Sequence, residues 1–153
     1  MMRTPWESDS SLAALIEGFE QGTYPKEDWT HQAHVAMAAH YLTLHPLPEA
    51  TRIIRARIPA YNLAQGGRNT DDAGYHETLT IFWIWIVAGF LAGLPETTPR
   101  LRMIAAAAER FGAESALHRK FYEHNVIGDL EARRHWVPPP ILIHDEQPGT
   151  NQT

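Results

Sequence analysis

The chain has 153 residues, nine histidines, no cysteine and a net charge of −5. Without cysteine there can be no disulfide, thiolate zinc site, iron–sulfur cluster or thiol nucleophile. The acidic balance argues against a nucleic-acid partner, which needs a concentrated basic surface.

A composition of 44% hydrophobic and 20% charged residues reads as globular. The length suits one domain, able to bury roughly 70% of its unfolded surface. Residues 1–143 read as a single helical domain and 144–153 (HDEQPGTNQT) as a disordered tail. The opening residues form a loose arm with no apolar signal-peptide stretch, which points to the cytoplasm.

A first helix is expected from a cap at Asp9 or Ser10 to about Gln21. Leu12, Leu15, Ile16 and Phe19 form its apolar stripe, and Gly22 and Pro25 break it. A second helix, capped by Thr30 or Asp28, runs to about Leu44, with Ala33, Met37, Tyr41 and Leu44 facing the core. A third begins near Pro48, and Pro59 should kink or end it. The polar, glycine-rich segment Gln65–Gly74 is a loop, longer than most and therefore a functional candidate.

The fourth helix, Tyr75–Leu94, carries the clearest pattern. Its strictly apolar run, Ile81–Leu94, is 14 residues long. A bilayer span needs ~20, and Trp83 and Trp85 sit mid-run rather than at an interface position. The segment is therefore a buried central helix and no membrane span. A fifth helix is expected from Thr98 to Phe111, and a sixth from about Glu114 to His124. Trp136 and the Pro138–Pro140 run then form an extended wrap. The expected fold is all-α, a single compact bundle of about six helices around the 75–94 helix.

Two motifs carry chemistry. Trp29-Thr30-His31-Gln32-Ala33-His34 places two imidazoles at i, i+3, on one helical face. Tyr75-His76-Glu77-Thr78 opens the apolar helix. Adjacent residues point about 100° apart, so His76 and Glu77 divide their labour. His31, His34 and His76 are the expected ligands of one divalent metal, zinc or iron. Glu77 is the expected catalytic acid or base. Three histidines and a water make a catalytic zinc site, while His31, His34 and Glu77 would suit a non-haem iron. Trp29, Tyr41, Tyr75 and Trp83 are the expected small-molecule contacts. If the chain is an enzyme, metal-assisted hydrolysis or an oxygen-dependent reaction fits best.

Blander readings use the same residues. Glu77 can simply favour a helix dipole, His34 can pack on Trp29, and His31 can be a solvated first-turn residue. A metal-free cavity, with Trp85 as a further wall and His76 and Glu77 orienting a ligand, is the main alternative. A structural or interaction protein with a buried hydrogen-bond network is another. His40 reads as a satisfied core residue, His118 as an i, i+4 pair with Tyr122, and His124 as a helix-end histidine. Arg52, Arg55 and Arg57 read as a solvated face. Homo-oligomerisation stays open.

At these motifs the chain resembles an uncharacterised family of small bacterial helical proteins. Their pattern pairs T-H-x-x-H with Y-H-E-T on an aromatic-rich helix and, later, A-R-x-x-W. Here these are Thr30-His31…His34, Tyr75-His76-Glu77-Thr78 and Ala132-Arg133…Trp136. The resemblance spans roughly residues 12 to 140. It implies no reaction, but it does imply that the two histidine motifs belong to one design.

Overall fold

In the computed structural model, residues 4–140 are described, and they form six α-helices with no strand among them. The expected tail, with His144, lies outside the described residues. Helix α1 spans Asp9–Gln21. Its cap is Ser8, one residue earlier than expected, because Ser8 and Ser11 exchange a reciprocal capping box. In the described part of the arm before it, Trp6 is buried in the core.

Helix α2 spans His31–Leu44, with Thr30 accepting from the Ala33 amide as expected. Helix α3 spans Leu47–Ala64 and runs through Pro59 without ending. Proline costs one intrahelical hydrogen bond there, but Asn69 reaches over to donate to the Pro59 carbonyl. The last turn is thus tied to the following loop.

Helix α4 spans Glu77–Ala92, two residues shorter than expected at each end. Helix α5 spans Arg100–Phe111, and the expected Thr98 cap makes no capping bond. The expected sixth helix over 114–124 shrinks to a single 3-10 turn, Leu117–Lys120. This tighter turn leaves both His118 and Tyr122 buried. The sixth helix, α6, is instead the short Leu130–Arg134, capped by Asp129. The extended wrap follows it, with Pro139 fully buried.

Two helices share the centre. α4 packs on α2, α3, α5 and α6, and α2 packs on α3, α4 and α5. Alanines at 33, 36, 38 and 39 are all buried on α2, and such small side chains let three neighbours approach one helix closely. Around α4 the apolar contacts divide. Ile84, Val87 and Leu91 join the main core, while Phe82 anchors a second cluster with Tyr122, Val126 and Ala132. No described helix is long and apolar enough to cross a membrane.

Candidate functional site

Between these helices lies a cavity of about 450 Å³, lined from α2, α3, α4, the Gly74–His76 turn and the 115–127 segment. Its walls are mainly apolar: Val35, Met37, Ala38, Ile54, Ile58, Leu79, Trp83, Ile84, Val87 and Ile127. Into this surface are set four imidazoles, His31, His34, His76 and His118, together with Asn62, Tyr75, Thr80 and Ser115. No Asp, Glu, Lys or Arg lines it among the described residues.

The helix starts explain how the imidazoles arrive there. His31 and His34 occupy the first turn of α2. The His34 Nδ1–H donates to the Thr30 carbonyl at 2.8 Å, an oxygen that also accepts from the His34 amide. The ring also packs against Trp29, with centroids 4.3 Å apart. Burial lowers the His34 pKa to about 4, with the Thr30 carbonyl opposing and His31 adding to the depression. His34 is therefore neutral at pH 7, and its Nε2 presents a lone pair.

His31 meets Trp83 edge-on, with centroids 4.5 Å apart. Its pKa is lowered by burial, against the pull of the Phe111 carbonyl. His118 is lowered by burial too, against the Ser115 carbonyl. Neither ring makes a well-formed hydrogen bond among the described residues, and His31 Nε2 and His118 Nδ1 are shielded from water without a partner. The sequence pairs His118 with Tyr122 at i, i+4 and gives it no role in the site. Its signal was the adjoining Leu117 and the Tyr122 four residues on, which mark an inward-facing segment.

His76 is a different kind of residue. It caps α4 itself: Nδ1 accepts from the Leu79 amide at 3.2 Å, and Nε2 donates to the Val126 carbonyl at 2.9 Å. Both ring nitrogens are engaged, so the expected third metal ligand has no lone pair left to offer. The expected acid or base, Glu77, is likewise occupied. Its carboxylate receives Arg55 Nε at 3.2 Å and Nη2 at 2.9 Å, and the Tyr75 hydroxyl at 2.5 Å. The pKa of Tyr75 is raised, by burial first and by Glu77 second. Glu77 does not line the cavity, and it does not meet His31 or His34. Arg55, read as part of a solvated face, is the partner that the buried carboxylate required.

Among the described residues no three His, Asp or Glu side chains are grouped to hold one ion. His76 spends Nδ1 on capping α4 and Nε2 on the remote Val126 carbonyl, and α3 supplies a cation to Glu77.

Of the expected small-molecule contacts, Tyr75 and Trp83 line the cavity. Trp29 stands behind His34, stacked on Phe19 with centroids 4.8 Å apart. Tyr41 is buried elsewhere and donates to Glu20. Trp85 packs in the second cluster. His40, half-buried, accepts from Arg100.

The cavity mouth is braced by contacts distant in sequence. Asn69 Oδ1 accepts from Asn62 and from the Tyr75 amide. Arg133 donates to the Gly74 and Tyr75 carbonyls, both at 3.1 Å. Thr78 Oγ1 donates to the His135 carbonyl and accepts from the Val137 amide. The Tyr-His-Glu-Thr and Ala-Arg-x-x-Trp segments are thus one joint, with the Ala132 side chain fully buried in it. Gly74 completes the turn at φ +81°, where a Cβ would lie 2.0 Å from the Arg68 carbonyl. Compared with known proteins, the chain matches no family model, no curated protein and no solved structure.

Proposed function

We propose that the chain is a small-molecule-binding protein that takes its ligand into the histidine-lined cavity without a metal ion. The cavity volume, about 450 Å³, falls in the range of pockets that enclose small ligands. The observation that carries the reading is the pair of imidazoles on this wall, His31 and His118, each with one buried ring nitrogen, Nε2 and Nδ1, that has no hydrogen-bond partner among the described residues. Buried polar groups are nearly always paired, and leaving one unpaired costs about 1–3 kcal/mol. A ligand with polar groups among the apolar walls supplies the partners.

The test uses the neutral fluorescent probe N-phenyl-1-naphthylamine. Ala38 lines the cavity, so Ala38→Phe should fill it. The expected result is a fluorescence rise on binding to the native protein and none with the variant, at an unchanged circular-dichroism spectrum. Equal uptake by both proteins, or none by either, defeats the reading. In parallel, tightly held zinc or iron that raises the melting temperature would favour a metal site over a metal-free one.

A further inference from the structure

The cavity also constrains the chemistry of its occupant. We infer that the ligand is an uncharged, largely apolar compound bearing at least one O–H or N–H donor, a phenol- or alcohol-like molecule. This rests on the small-molecule reading above and narrows it.

The first observation is the hydrogen-bonding state of the imidazoles. His34 donates its Nδ1 proton to a backbone carbonyl and leaves Nε2 as an acceptor. The rings of His31 and His118 stand near the carbonyls of Phe111 and Ser115, which favour a proton on the ring. In a neutral imidazole a proton on one nitrogen leaves a lone pair on the other. The wall is therefore rich in acceptors. Of the other polar groups on it, Tyr75, Thr80 and Asn62 already donate to Glu77, the His76 carbonyl and Asn69, and the Ser115 hydroxyl can accept as well as donate.

The second observation is charge. No cationic side chain lines the wall, so an anion would have to protonate an imidazole. For His34, with a pKa of about 4, that step costs about 1000-fold in affinity at pH 7. An organic cation fares no better. No acidic group lines the wall among the described residues, and Glu77, next to His76, is already paired with Arg55 and Tyr75. A pure hydrocarbon would bury the lone pairs unsatisfied, at about ten-fold in affinity for each bond left unmade. A neutral donor avoids all three costs.

Four probes of one shape separate these cases: 2-naphthol, naphthalene, 2-naphthoate and 2-naphthylmethylamine, titrated at pH 7 by calorimetry or by displacement of N-phenyl-1-naphthylamine. The expected order places 2-naphthol first, at least ten-fold tighter than naphthalene, with the two charged compounds weakest. His34→Phe and His118→Phe should each reduce the preference for 2-naphthol over naphthalene. The ranking on the native protein decides by itself if a variant fails to fold. Equal binding of 2-naphthol and naphthalene, or tighter binding of either charged compound, overturns the inference and leaves the cavity reading standing. So does uptake of N-phenyl-1-naphthylamine with none of the four probes. If no compound enters at all, both readings fall.

Discussion

Arg55 reaches from α3 to hold Glu77, the first residue of α4, with Nε and Nη2 on its two carboxylate oxygens at 3.2 and 2.9 Å. The carboxylate end is nearly buried, whereas the guanidinium is 54% exposed. Only the buried partner stands to lose much if the pair is broken.

Arg55→Leu should therefore destabilise the protein by about 2 kcal/mol, because a buried carboxylate keeps only the Tyr75 hydroxyl. Glu77→Gln should cost less, since an amide can still accept from both. The double variant should recover part of the loss of Arg55→Leu. Urea unfolding midpoints at pH 7 measure all three. An Arg55→Leu variant as stable as the native protein would show that the carboxylate is satisfied from elsewhere.

His76→Ala should cost about 2 kcal/mol, by removing both the α4 cap and the tie to Val126. His76→Asn should restore about half of that, since asparagine caps helices well but is too short to reach Val126. The comparison separates the two bonds. Probe uptake by the asparagine variant should persist. Its loss would return His76 to a direct role in the site.

Acid should weaken the fold between pH 6.5 and 4. His34 and His40 both have pKa values lowered to about 4, each first by burial. Over that interval the unfolded chain binds protons that the folded chain refuses, so stability falls as pH falls and levels off below pH 4. Each imidazole contributes on the order of 3 kcal/mol at most. His34→Phe should reduce the slope, and adding His40→Gln should reduce it further. Unfolding midpoints measured across this range check the sign. A midpoint that rises towards pH 4.5 would contradict it.

Thr78→Val keeps the shape of a fully buried side chain but strands the His135 carbonyl and the Val137 amide. The expected cost is about 2 kcal/mol. Amide exchange should quicken first around Trp136 and Val137, because Thr78 is what joins them to α4. Uniform protection in the variant would mean that the extended segment is held by its apolar contacts alone.

Much of the fold was legible along the chain. The stripe Leu12, Leu15, Ile16 and Phe19 is buried on α1 as its period requires. Thr30 caps α2, and Pro46 follows its end. The apolar α4 is a core helix too short to span a bilayer. The segment 114–124 departs from its helical stripe, which is short, and forms one tight turn that buries His118 and Tyr122.

Half of the candidate site was legible in the same way. The i, i+3 spacing does bring His31 and His34 to one cavity wall, and Tyr75 and Trp83 join them. What the spacing could not show was which lone pairs remain free. That depends on partners remote in sequence: Val126 for His76, Arg55 for Glu77, Glu20 for Tyr41.

Nine histidines and no cysteine established from the sequence alone that a metal, if one binds here, is held through nitrogen and oxygen alone. Helical periodicity and capping, which act over a few residues, fixed where most helices lie and which faces turn inward. Only the tertiary structure decided the use of each polar group. A histidine's tautomer and a carboxylate's counter-ion are set by whatever lies within about 3 Å. Here those neighbours come from 22 and 50 residues away.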